Sequence, residues 1–381
     1  MADTSDKGSA MMGSSLASGA LLHKRGQSLE KGAPIAPPIT SASMFHLPGD
    51  PDGSYHYGRA GNPSWSCTEA MIGALEDAPA LLFPSGMAAI SAALFATLRA
   101  GARLLLPSDG YYTTRLLAER FLEPLGVTFV ERPTAQFCEG GFEGFDVVFV
   151  ETPSNPGLDM TDLRAVATQV RAAGGITIAD NTTLTPLGQR PLDLGIDIVV
   201  SSDTKALGGH SDLLAGHVAS RNSDLMQRVE DWRKLSGSIA GAHTAWLLHR
   251  GMETLEVRYD RMCNNAEVIA ARLAEHSAVN QVRFPGLATD PAHEIARTQC
   301  ARFGFLIGVT LSDAERAEQF INSCTLLRPA TSFGGVHSSA ERRARWGDAV
   351  EPGFVRIAVG VEPVEELWAA FDTALNETLT S

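Results

Sequence analysis

Val147-Val148-Phe149-Val150-Glu151-Thr152-Pro153-Ser154-Asn155-Pro156, Ile176-Thr177-Ile178-Ala179-Asp180-Asn181-Thr182 and Ile198-Val199-Val200-Ser201-Ser202-Asp203-Thr204-Lys205 share one plan within residues 147–205. Each opens on a short, mostly apolar run of buried-strand type and ends in polar residues. The first two are separated by a helical pattern over 162–173 that follows Thr161, read as its N-cap. Strands that are apolar on both faces and alternate with helices pack as a mostly parallel sheet with helices on either side. The fold class is therefore α/β.

Working outward, 86–98 reads as an Ala-rich helix, and 103–106 and 127–131 read as strands. Residues 242–275 carry long helical patterns, with Arg250-Gly251 read as a break between them. Beyond lie two more strand-like runs, 303–311 and 354–359, and an amphipathic helix at 364–375, the makings of a smaller α+β C-terminal domain. A chain of 381 residues exceeds what one hydrophobic core usually supports. The expected division is an N-terminal arm over 1–56, carrying Pro34, Pro37 and Pro38, a large domain over 57–247 and a small domain over 248–381.

Composition excludes several functions. A formal net charge of −13 disfavours nucleic acid and anionic membrane surfaces, both of which call for clustered Lys and Arg. No run approaches the length of a membrane span, and the Ser/Gly/Ala-rich start lacks the basic and apolar regions of a secretory signal. The five cysteines contain no C-x-x-C pair, which suits reduced thiols and gives no zinc framework, so no metal site is expected. A soluble, cytoplasmic protein is expected.

Carboxyl ends of strands in an open α/β sheet are where ligands bind. Asn155, Asp180, Ser202, Thr204 and Lys205 should therefore share one crevice. Lysine is scarce: Lys7, Lys24, Lys31 and Lys234 lie in the arm or a polar stretch, and Lys205 alone follows a buried strand. Desolvation there would lower its pKa and yield a neutral, nucleophilic amine. Such a lysine beside a carboxylate suits pyridoxal 5'-phosphate (PLP), with Lys205 joined to the cofactor as a Schiff base and Asp180 keeping its ring nitrogen protonated. Ser85-Gly86-Met87 opens the Ala-rich helix and offers backbone N–H groups to a phosphate, with Ser202 and Thr204 as further donors. Hydrolase and dehydrogenase readings fail for want of G-x-S-x-G, G-x-G-x-x-G, P-loop or H-E-x-x-H motifs. His210, Ser211 and Asp212 are adjacent in sequence, which rarely gives triad geometry.

Further motifs run in order along the chain: Tyr57-Gly58-Arg59-x-x-Asn62-Pro63, Phe83-Pro84-Ser85-Gly86-Met87-Ala88-Ala89, Gly208-Gly209-His210-Ser211-Asp212 and Val355-Arg356-Ile357-x-x-Gly360-x-Glu362. With the three strand ends, they resemble the Cys/Met-metabolism family of PLP enzymes, the transsulfuration lyases and synthases, from about residue 30 to the end. The resemblance implies the PLP-dependent transferase fold of type I and a homotetramer built as a dimer of dimers. It also implies that Tyr57 and Arg59 reach the cofactor phosphate of a neighbouring subunit and that Tyr111 stacks on the ring and assists proton transfer. Asn155 would bond the ring's phenolic oxygen, Thr182 would lie at the cofactor, and Arg356 and Ser332 would hold the substrate's α-carboxylate.

Thr331 and His337 stand where relatives commonly carry Glu. Glu341-Arg342-Arg343-Ala344-Arg345-Trp346 reads as a salt-bridged surface helix. The expected activity is carbon–sulfur bond cleavage in a small amino-acid substrate, with cystathionine γ-lyase first. Cystathionine β-lyase, methionine γ-lyase and γ-synthase use the same residues and stay open, as does a catalytically silent PLP-fold protein.

Overall fold

The structure, a computed structural model, describes residues 22–23 and 30–380. Most of the first thirty positions of the expected arm, 1–21 and 24–29, lie outside the described residues. From 30 to 62 the chain forms no regular helix or strand, and the bridge between Met44 and Tyr57 ties it back on itself.

Seven strands make the main sheet: β1 (Ala80–Phe83), β2 (Arg103–Pro107), β3 (Thr128–Arg132), β4 (Val147–Glu151), β5 (Ile176–Asp180), β6 (Ile198–Ser201) and β7 (Gly216–Ala219). Their spatial order is β1-β7-β6-β5-β4-β2-β3. All pairings from β6 to β3 are parallel, while β7 runs antiparallel to both β6 and β1. Alternation within the strands splits the core. Val147 and Phe149 pack on one face with Ala89, Ala93 and Ile198, and Val148 and Val150 pack on the other with Leu163, Val166 and Val170. The helices Gly86–Thr97 and Leu163–Ala172 thus cover opposite faces.

The helix Leu163–Ala172 starts one residue later than the sequence suggests. Its cap is Asp162, whose carboxylate accepts from the Ala165 amide at 3.0 Å, while the Thr161 hydroxyl meets Cys138 Sγ at 3.2 Å. The break expected at Arg250-Gly251 is also displaced. Both residues lie inside the helix Ala242–Met252, and the next, Leu255–Glu275, follows. Gly251 serves close approach instead: a Cβ there would stand 2.5 Å from the Gly208 carbonyl, three residues beyond Lys205.

The smaller C-terminal α+β domain holds a second sheet, β8 (Gln281–Arg283), β9 (Leu306–Thr310), β10 (Arg328–Pro329), β11 (Ser339–Arg342) and β12 (Phe354–Ala358). Its order is β10-β11-β12-β9-β8. The short strands β1, β7, β8, β10 and β11 carry too few residues for a pattern and are not legible in the sequence. Neither is the expected surface helix over Glu341–Trp346. Glu341 and Arg342 belong to β11, and a single tight turn, Arg343–Trp346, follows.

Candidate active site

Chain order and strand order diverge at β4. From there β5, β6 and β7 run one way, and β2 and β3 the other. Such a reversal opens a crevice at the strands' carboxyl ends, and a cavity of about 360 Å³ lies there. Its walls include Ser85, Gly86, Met87, Tyr111, Asn155, Asp180, Thr182, Ser202, Thr204, Lys205, Ser332 and Arg356. Tyr57 and Arg59 lie outside it. Tyr57 is 50% exposed, and Arg59 donates to the Lys234 carbonyl at 2.6 Å.

One end of the cavity is formed where the helix Gly86–Thr97 begins. Ser85 caps the helix Gly86–Thr97, its hydroxyl accepting from the Ala88 amide at 3.1 Å, and the first-turn N–H groups have no acceptor within the helix. A Cβ on Gly86 would stand 2.6 Å from that of Ser202, so only glycine lets the helix end meet the strand end. The Thr204 hydroxyl is engaged with the Ala215 backbone, at 3.1 Å to both N and O.

At the other end Asp180 is fixed by Thr182, which donates to Oδ1 from its hydroxyl at 2.5 Å and from its amide at 2.9 Å. Glu151 stands directly beside Asp180 in the parallel register and accepts from the Tyr111 amide at 2.6 Å. Burial, then the charge of Asp180, holds the Glu151 carboxyl well above the usual carboxylate range. Burial raises Asp180 too, but Thr182, Lys205 and His217 oppose it. The pair's negative charge therefore rests on Asp180. Sequence reading missed Glu151, whose place beside Asp180 is set by the β4–β5 register.

Lys205 Nζ donates to Ser332 Oγ at 2.7 Å and lies 5.1 Å from the centre of the Phe333 ring. Burial and the nearby Arg356 charge pull its pKa down to about 8, against the opposing pull of Asp180 and Glu341. Ser332 holds this place with a φ of 77°, a left-handed conformation rare for a residue with a side chain. Arg356 is nearly inaccessible. It donates to Asn155 Oδ1 at 2.5 Å, to the Ser332 carbonyl at 3.1 Å and to Glu341 at 2.5 Å. Burial lowers its pKa to about 10, yet it stays a cation at neutral pH.

A helix N-terminus, a buried carboxylate, a lysine with a lowered pKa and a buried arginine in one crevice suit PLP and an amino acid together. The profile of the family described as Cys/Met metabolism PLP-dependent enzyme matches residues 19–376. The chain belongs to this family. A Streptomyces coelicolor protein provisionally named as a cystathionine gamma-lyase is 45% identical over 91% of this chain and 90% of its own length. The cystathionine beta-lyase MetC of Bacillus subtilis is 34% identical over 90% of this chain and 92% of its own. The crystal structure of metB from Corynebacterium glutamicum superposes with a TM-score of 0.90 at 34% identity, covering 94% of this chain and 97% of that one. No helix among the described residues is long and apolar enough to cross a membrane.

Proposed function

We propose that this member of the Cys/Met-metabolism family is a PLP-dependent carbon–sulfur lyase whose preferred reaction converts cystathionine and water to cysteine, 2-oxobutanoate and ammonia. The observation that carries the reading is Lys205 Nζ, lowered towards neutrality and set between Asp180 and Arg356. The cofactor supplies an electron sink for a carbanion at the substrate's Cα. The residues that would hold it are Lys205 by covalent attachment, Asp180 at the ring nitrogen, and Ser85, Gly86, Met87, Ser202 and Thr204 around the phosphate. Asn155, Thr182 and Tyr111 complete its surroundings.

Arg356 and the Ser332 loop receive the substrate's α-carboxylate, a role that a guanidinium with so little access to water fulfils by a charge-assisted pair. Lys205 would take the Cα proton at Nζ and then carry a proton away from Cβ, the step that departure of sulfur from Cγ requires. Tyr111, which lines the cavity and is 37% exposed, gives the departing sulfur its proton in this reading. A β-lyase would use the same groups for departure from Cβ, and methionine γ-lyase or γ-synthase activity shares them too. The first preference follows the relative at 45% identity.

Tyr57 and Arg59, exposed and outside their own cavity, serve a neighbouring subunit's phosphate in a cytoplasmic homotetramer made of paired dimers. Incubation of the cofactor-loaded enzyme with L-cystathionine, followed by product analysis, tests the assignment. Cysteine with 2-oxobutanoate is expected. Homocysteine with pyruvate would replace it with β-elimination, and the absence of both pairs would overturn the reading.

A further inference from the structure

Glu341 lies directly across the antiparallel β11–β12 pair from Arg356, so both side chains leave the sheet on the same face. One Glu341 oxygen accepts from Arg356 at 2.5 Å and from Arg343 at 2.7 Å, and the other accepts from the Trp346 indole N–H at 3.0 Å. Asp348 holds the far side of Arg343, with contacts of 2.7 Å to Nε and 2.6 Å to Nη2. Arg345 stands 3.7 Å from Glu341. Three guanidiniums thus face two carboxylates; Arg343, Trp346 and Arg356 line the cavity, and Arg345 does not.

We propose that Glu341 is the positioning residue for Arg356, aiming its guanidinium at the substrate's α-carboxylate while Arg343 and Trp346 fix Glu341 from behind. A buried arginine has many rotamers and tolerates neither an unpaired charge nor unsatisfied N–H groups. Asn155 and the Ser332 carbonyl supply two acceptors but no charge. Glu341 supplies the charge, and the strand register fixes its place. The preference of the site for an amino acid over the matching amine is therefore set by Glu341 as well as by Arg356. This inference rests on the reading of Arg356 as the carboxylate-binding group.

The test uses the cofactor-loaded enzyme and two probes that carry no sulfur, L-alanine and ethylamine, which differ by one carboxylate. Each is measured as a competitive inhibitor of thiol release and, separately, by calorimetry. In Glu341→Gln the preference for L-alanine over ethylamine falls by about tenfold or more with ethylamine binding little changed. In Trp346→Phe, where the ring is 57% exposed and folding is not at risk, it falls by roughly threefold. Added to Arg356→Lys, Glu341→Gln produces no further loss, because it acts through the same group. If Arg356→Lys abolishes the preference while Glu341→Gln and Trp346→Phe leave it intact, this inference alone is overturned. Tighter L-alanine binding in Glu341→Gln overturns it as well, making Glu341 a competitor. If Arg356→Lys keeps the preference, the underlying assignment of Arg356 fails first. Should Glu341→Gln not fold, the outcome in Trp346→Phe decides.

Discussion

The crevice at the ends of β4, β5 and β6 and the wall built by β11 and its turn meet at Arg356, yet they are written in the chain in opposite ways. In the first, each functional group stands one to five residues beyond an apolar run, so that the sheet, once formed, delivers Asn155, Asp180 and Lys205 to one place. In the second, Glu341-Arg342-Arg343-Ala344-Arg345-Trp346 carries the charge density of a solvated surface, but Glu341 and Arg343 are buried. Their charges are cancelled by each other and by Arg356 and Asp348, which stand 15 and 7 positions from Glu341 in the chain. Local charge density measures solvation only where the pairing is local. Here the pair that joins the segment to the site, Glu341–Arg356, is made by strand register.

The sharpest way to break this contrast is at the first region. Lys205→Ala removes the amine that moves protons in the proposed reaction, and thiol release should fall by at least about 100-fold. Steady-state rates on the cofactor-loaded variant measure this, and a loss of less than tenfold would place proton transfer elsewhere.

Next in size is a buried ion cluster that joins β7 to the turn after β6 and to the helix Pro63–Glu76. His217 in β7 meets Asp203 at 2.7 Å and Glu76 at 3.2 Å, with all three side chains almost wholly buried. Burial alone would lower the imidazole's pKa, but the two carboxylates outweigh it and push it up to about 10. With the folded-state value above the ordinary 6.5, this stabilisation is complete below about pH 6.5 and is lost as pH rises through about 10. His217→Asn leaves two buried carboxylates without their cation and should cost about 3–5 kcal/mol at neutral pH. Thermal unfolding from pH 7 to 10 checks it, and the gap from the wild type should narrow as pH rises. A constant gap would mean that packing, not charge, makes the contribution.

The smallest effect concerns a cap. Asp162→Ala should destabilise the helix Leu163–Ala172 by about 1 kcal/mol, and Thr161→Ala should leave that helix end unaffected. Denaturant titration of both variants sharpens the assignment, and a reversed order would return the cap to Thr161.

Much of the large sheet is legible because β2, β4, β5 and β6 are buried on both faces and alternate with helices. Among the strands that escape notice, β1, β7 and β11 have only four residues each and take their place from antiparallel pairing, which for β1 and β7 joins distant parts of the chain. The same division holds at the site. Asp180 and Lys205 are marked by strand ends and by the scarcity of lysine, whereas Glu151 and Glu341 become visible only when register sets them beside Asp180 and Arg356. The displaced break at Gly251 has a similar cause. A glycine that admits a neighbouring backbone is indistinguishable, in sequence, from one that ends a helix.

The central claim concerns where the aldehyde cofactor becomes attached. Borohydride reduction of the loaded protein, followed by proteolysis and peptide mass spectrometry, locates the pyridoxyl group. The account predicts it on the peptide containing Lys205 alone. A pyridoxyl group on Lys234 or on an arm lysine, or none at all, would contradict it.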